Sequence, residues 1–107
     1  MNEIEAWAMS RTDTVRVRAN ESGMPVAIHI DPVELRYGSD ELARTILDLC
    51  VRATSTARAE RRTQLERAGM DRDVLDRLGL PTAAAVADSE NERFDDEGGP
   101  VSWMKSV

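Results

Sequence analysis

Apolar and polar residues alternate along residues 14–19, which is the pattern of a half-buried β-strand. Val15, Val17 and Ala19 fall on one side of such a strand, whereas two arginines fall on the other side. Because successive side chains of a strand point to opposite faces, we expect the apolar set to face a core and the arginines to face solvent.

Two neighbouring stretches show the same alternation. Residues 3–10 alternate weakly and fit either a strand or a helix, whereas residues 25–31 alternate clearly and would bury Val26, Ile28 and Ile30. Turn-forming residues separate the stretches, so that short connections between strands are favoured. The pattern predicts a three-stranded antiparallel meander.

One long amphipathic helix is predicted over residues 39–69. Ser39 is a good N-cap residue, and Gly69 suits the left-handed position that ends a helix. Up to Ala57 the apolar positions, Leu47 among them, form one continuous arc at the helical spacing of about 100° per residue. Beyond Ala57 the same arc carries charged and amide side chains, so we expect the second half of the helix either to lie in water or to meet a partner.

A short helix over residues 71–78 is predicted next, since Asp71 suits its start and Gly79 its end. Residues 82–88 fit only a marginal helix, and the acidic chain from Ser89 onward is typical of disorder. We therefore expect an α+β fold in three parts, which are a dimerisation domain at 1–70, a short helical extension at 71–88 and an acidic flexible tail at 89–107.

The length of 107 residues allows one small domain. A single cysteine excludes an intramolecular disulfide and fits a reducing compartment. The N-terminus shows no basic stretch followed by an apolar run, and no segment approaches the roughly 18 apolar residues that cross a bilayer. We therefore expect a cytoplasmic protein without membrane insertion.

Catalytic chemistry finds little support among the side chains. His29 is the only histidine and falls on the outward side of a strand, and Cys50 falls on the inner arc of the helix as a buried thiol. One cysteine and one histidine cannot build a zinc site, and the sequence has no phosphate-binding glycine loop. We expect no enzymatic activity, no cofactor and no small-molecule substrate.

The expected core is thin, because half a helix covers a three-stranded sheet and small domains bury little area. Isologous pairing is the commonest oligomeric arrangement, and small side chains on the helix would let a second copy approach closely. We therefore expect a homodimer. The candidate interface residues are Leu49, Ala53, Ala57, Val26 and Ile28.

Clustered arginines form a candidate surface for nucleic acid or for a protein partner. Within residues 11–70 ten arginines meet nine acids, whereas within residues 71–107 four bases meet nine acids. This balance weighs against phosphate binding, which depends on net positive charge. The candidate contacts are Arg16, Arg18, Arg52, Arg58, Arg61, Arg62 and Arg67.

Several motifs lie in the central region, namely Val15-Arg16-Val17, a turn containing Gly23, Val26-Ala27-Ile28-His29-Ile30-Asp31-Pro32, Glu34-Leu35, and Asp40-Glu41-Leu42 with Asp48-Leu49. Over about residues 14–68 this set resembles the YbaB/EbfC family, although the chain lacks that family's long N-terminal helix. The resemblance implies a hairpin that leads into a long helix, a small dimer and, as in many members, nucleoid-associated DNA binding.

A longer set of motifs spans about residues 3–94. It consists of Glu3-Ile4-Glu5-Ala6-Trp7-Ala8-Met9-Ser10, of Gly79-Leu80-Pro81-Thr82 with the alanine run that follows, and of Phe94. This set resembles the EspD and EspH accessory proteins of actinobacterial type VII secretion, whose acidic N-terminal extension this chain lacks. This resemblance implies a factor or chaperone that works by protein–protein interaction, and the YbaB/EbfC resemblance implies DNA binding as the alternative.

Near the C-terminus, Trp103 and Met104 form an apolar stretch within an acidic region. Such a stretch fits a short motif that enters a groove on a partner. An ordinary tail segment fits equally well.

Overall fold

The computed structural model describes residues 3–97, and the side chains of residues 3–92. A three-stranded antiparallel sheet is followed by a long helix and two shorter ones, so the predicted α+β class is confirmed. The elements in chain order are β1 (Glu5–Met9), β2 (Val15–Asn20), β3 (Pro25–Ile30), a 3₁₀ helix (Pro32–Tyr37), α1 (Ser39–Arg67), α2 (Arg72–Arg77) and α3 (Ala83–Glu97).

The central strand, β2, has the alternation that its sequence predicts. Val15, Val17 and Ala19 are fully buried, and they face α1. The sheet order is β1-β2-β3, and the register aligns Val17 with Ala8 on one side and with Ile28 on the other. Residues that share a register position point to the same face, so Ile28 lies on the core side of the sheet.

The edge strand β3 does not bury its apolar residues as predicted. Val26 keeps 37% of its surface exposed and Ile28 keeps 48%, while Ile30 is half-buried against the core. The reason is the path of α1, which packs on β1 and β2. The core side of β3 is therefore left largely without a covering helix.

Leu49 and Ala53 of α1 pack with residues of β1 and β2 in the main core cluster, and Ala57 packs with Ile4 and Ala6 in a second cluster. The three helix residues are almost fully buried within one protomer. The prediction that Leu49, Ala53 and Ala57 line a dimer interface is therefore wrong, because the sheet of the same chain already occupies their side of the helix.

The boundaries of α1 follow the sequence signals closely. The helix begins at Ser39, but the N-cap position is Gly38 and no side chain caps the first turn, so the predicted cap is displaced by one residue. At the other end, Gly69 adopts a φ of 96° and its N–H donates to the Glu66 carbonyl at 3.0 Å. A left-handed glycine thus ends the helix as predicted.

The C-terminal region contains more helix than predicted. The short helix α2 lies within the expected range, and its Leu75 is fully buried. However, α3 continues through Glu97, so the prediction of disorder from Ser89 is wrong as far as residue 97. The candidate motif at Trp103 and Met104 lies outside the described residues.

Candidate functional site

Three of the seven candidate arginines are buried, and each binds acids of the same chain. They lie along the side and the second half of α1, where sequence reasoning expected solvent or a partner. Burying a guanidinium is costly unless carboxylates pair with it, and all three satisfy this condition. The three residues are Arg52, Arg61 and Arg62.

Arg61 binds Glu21 in the turn between β2 and β3. Its Nε lies 3.1 and 2.9 Å from the two carboxylate oxygens, and its Nη2 lies 2.6 Å from Oε1. The hydrogen bond from Arg61 lowers the pKa of Glu21 below its ordinary value despite partial burial, and the charges of Arg61 and Arg58 add to this effect. The same hydrogen bond raises the pKa of Arg61.

Arg62 holds α2 and the residues after it against α1. Its Nη1 donates to Asp76 at 2.7 Å and to the carbonyl of Leu80 at 2.8 Å, while its Nε donates to Glu66 at 3.3 Å. The hydrogen bond to Asp76 is the main cause that raises the pKa of Arg62. Arg62 therefore joins the end of α1, α2 and the segment that follows α2.

Arg52 binds α3 in the same way. Its Nε donates to both oxygens of Glu90 at 3.0 and 2.9 Å, and its Nη2 lies 2.7 Å from Oε2. Asp48, one helical turn earlier, lies 3.6 Å from Nη1. The second half of α1 is thus covered by segments of its own chain, which corrects the expectation that it lies in water or meets a partner.

The remaining four candidate arginines do not form one surface. Arg16 pairs with Asp13 at 3.0 Å, and Arg18 lies 3.3 Å from Glu5 on the outer face of the sheet. The Arg18 guanidinium also lies 5.3 Å from the centre of the Trp7 ring.

The other two lie on α1, far along the chain from the sheet. Arg58 donates to the Gly79 carbonyl at 3.1 Å, and Arg67 is exposed in the last turn. The structure therefore places the seven predicted contacts in at least three separate environments, and it does not gather them into one basic patch.

Several large apolar side chains of β3 and α1 are exposed. Ile28 lies uncovered on the core side of β3, and the nearby Val26 is also exposed. On α1, Leu47 keeps 67% of its surface exposed and Val51, one turn later, keeps 61%. Cys50 Sγ lies 3.5 Å from the Gly23 carbonyl in the β2–β3 turn. The flank of α1 that carries Cys50 therefore lies against the β2–β3 turn, and Leu47 follows about 60° further around the helix.

We call Val26, Ile28, Leu47 and Val51 the apolar face. Sequence reasoning found Val26 and Ile28 but placed Leu47 on the buried arc, and it missed Val51. The exposure of Leu47 could have been suspected from its position at the edge of the apolar arc, where helical spacing alone does not distinguish core from surface.

A polar cleft of about 420 Å³ lies between the β1–β2 connection and the first half of α1. Charges of both signs line it, among them Arg11, Glu41, Arg44 and Asp48. Their mixture favours no single charged ligand, since attraction to one sign is offset by the other.

The residues considered for catalysis lie apart. His29 is exposed, and Cys50 is half-buried against the core. Among the side chains that the structure describes, those of residues 3–92, no three histidine, cysteine or acidic groups are placed so as to hold a metal ion. No helix in this part of the chain has the length and apolar character needed to span a bilayer.

In comparisons with known proteins, no family model, no curated protein and no solved structure matches this chain. The resemblances to the YbaB/EbfC family and to the EspD and EspH proteins therefore stay sequence-based predictions.

Proposed function

We propose that this chain is a non-enzymatic homodimeric binding protein that acts by protein–protein contact. The observation that carries the proposal is the apolar face, in which Ile28 and Leu47 keep about half or more of their surface exposed. Large contiguous apolar patches are uncommon on monomers and mark interaction sites. A second copy of the chain is the simplest cover for such a face.

The two parts of the apolar face complement each other across a two-fold axis. On β3, Val26 and Ile28 need a helix to cover them, and on α1, Leu47 and Val51 need an apolar surface to receive them. In an isologous dimer the α1 flank of each protomer covers the bare β3 surface of the other. A single interface then covers the exposed β3 residues and the exposed α1 residues of both protomers.

The partner side of the proposal comes from the sequence. The motifs shared with the EspD and EspH proteins support an accessory factor or chaperone of type VII secretion, located in the cytoplasm. The alternative, a nucleoid-associated DNA-binding protein, lacks a supporting arrangement, because Arg52, Arg61 and Arg62 are paired with acids of their own chain. Phosphate binding would have to break those pairs.

Sedimentation equilibrium tests the dimer. We expect the parent chain to sediment as a dimer at micromolar concentration and Leu47→Lys to sediment as a folded monomer, since a lysine at that position opposes burial. The matched control is Leu78→Lys, because Leu78 is a similarly exposed leucine on the C-terminal side of α2. A folded parent monomer at micromolar concentration would refute the proposal.

A further inference from the structure

The contact between α1 and α3 is strong in charge and weak in apolar packing. Among residues 83–92 of α3, Val86 and Glu90 are half-buried and the other side chains are exposed. Opposite them, Ala59 and Arg52 of α1 are buried. The α1 surface beneath α3 is called the α3 groove. It consists of Arg52, Ser55, Thr56, Ala59 and Thr63, and Val51 of the apolar face lies at its border.

Two cavities, both open to solvent, border the contact between the helices, where the facing side chains are short. One, of about 220 Å³, is lined by Thr56, Ala59 and Thr63 on α1 and by Ala83, Val86 and Ala87 on α3, with Glu60 at its border. The other, of about 160 Å³, lies beside Arg52 and Glu90. Helix interfaces normally interdigitate without such gaps, so α3 fills its groove incompletely.

The buried guanidinium of Arg52 limits what can occupy the groove. Its Nε donates to both oxygens of Glu90 and its Nη1 lies 3.6 Å from Asp48, so loss of Glu90 would remove the carboxylate closest to this buried charge. Any helix that replaces α3 must therefore bring a carboxylate to this position. The requirement selects an acidic helix over a basic or neutral one.

We propose that the α3 groove is a docking site for an acidic amphipathic helix of a partner protein, and that α3 occupies the site until that helix displaces it. The partner helix supplies a carboxylate to Arg52 and leucine-sized side chains to the two cavities. The partner helix binds the groove more tightly than α3 does, because it keeps the ion pair with Arg52 and adds apolar contact that the alanines of α3 do not make. This inference rests on the proposed function, since it names the partner of the same binding protein.

The probe is a fluorescein-labelled peptide of residues 81–97 of this chain with Ala83→Leu and Ala87→Leu, titrated with the full-length chain in a fluorescence anisotropy assay. We expect saturable binding, and affinity roughly tenfold higher for full-length Glu90→Gln, whose own α3 competes less. A matched peptide that also carries Glu90→Gln should bind roughly tenfold more weakly to either chain. Absence of saturable binding, or equal affinity of the two peptides, would overturn the proposal.

A second variant places the peptide in the groove without weakening the fold. In the full-length chain, Ala83→Leu with Ala87→Leu fills the cavity from within and should lower the affinity for the probe by roughly tenfold, because the improved α3 is harder to displace. Ala84→Leu is the control, since Ala84 lines neither cavity. Unchanged affinity in the first variant would refute competition at this groove.

Sedimentation of the same samples separates this inference from the dimer. A chain that sediments as a monomer yet binds the probe refutes the homodimer and supports the groove. A chain that sediments as a dimer and does not bind the probe supports the homodimer and refutes the groove. If Glu90→Gln instead forms a new oligomer that Leu47→Lys does not dissociate, the groove takes α3 of a second copy, and the partner-helix proposal is overturned.

Discussion

Arg61 and Glu21, forty residues apart in the chain, form an ion pair that joins the second half of α1 to the turn between β2 and β3. The guanidinium contacts the carboxylate through two nitrogens, the geometry in which arginine binds a carboxylate most strongly. The pair holds the β2–β3 turn against the helix.

Replacement of Glu21 by glutamine should make the fold less sensitive to acid. The folded-state pKa of Glu21 is lowered by Arg61, so its ionisation stabilises the fold above about pH 4.3, the ordinary value for glutamate, and that stabilisation is lost as the pH falls through the folded-state pKa. We expect Glu21→Gln to lower the free energy of unfolding at pH 7 by roughly 1–2 kcal/mol. Urea titrations at pH 7 and pH 3 measure both effects.

The control is Glu92→Gln, because Glu92 is an exposed glutamate in the described part of α3. It should leave the urea midpoint at pH 7 within experimental error of the parent. If Glu21→Gln loses as much stability between pH 7 and pH 3 as the parent does, then the Arg61 pair does not contribute to the acid response.

Loss of the Arg62–Asp76 contact should release the C-terminal half while leaving the sheet intact. In Asp76→Asn the guanidinium keeps Glu66 and the Leu80 carbonyl but loses its closest carboxylate, 2.7 Å away. We expect faster amide hydrogen exchange in α2 and α3 and unchanged exchange in β2. Asp73→Asn, on the same helix, is the matched control, and equal exchange in the two variants would contradict this role for Arg62.

The sequence predicted the sheet and the long helix because local signals determine them. Alternation places Val15 and Val17 inward whatever packs against them, and Gly69 ends α1 through its own backbone. The exposure of Ile28 was not predictable in this way. It depends on where α1 crosses the sheet, which is a property of the tertiary arrangement that alternation does not encode.

The buried arginines were missed for a related reason. Arg61 falls near the inner arc of α1, and helical periodicity treats a charge there as a sign that the arc has left the core. Its partner Glu21 is forty residues away in a predicted turn, so no i,i+4 rule connects the two. A charge on an apolar arc together with a distant unpaired acid in a turn is the signal that would have suggested the contact.

Truncation of Leu49 should destabilise the folded protomer, whereas truncation of Leu47 should weaken the dimer. Leu49 is almost fully buried in the core cluster, so Leu49→Ala should cost about 2–5 kcal/mol at any protein concentration. Leu47 is exposed, so Leu47→Ala should change little within the protomer and weaken the dimer instead. Thermal unfolding at several protein concentrations distinguishes them, since only coupled dissociation makes the midpoint concentration-dependent.

The outcome that would contradict this assignment is specific. If Leu47→Ala lowers the midpoint equally at all concentrations, then Leu47 stabilises the protomer and the apolar face is not an interface.

Substitution of Arg58, Arg61 and Arg62 by alanine should destabilise the fold. It should not change DNA binding, because we expect the parent chain to bind no DNA. The parent chain should give no gel shift at low salt, because these side chains bind Gly79, Glu21 and Asp76 of their own chain. The triple variant should melt at a lower temperature by circular dichroism, whereas Arg67→Ala, at an exposed position, should melt with the parent. A parent gel shift that weakens steeply as salt rises, and that the triple variant loses while still folded, would instead support the DNA-binding alternative.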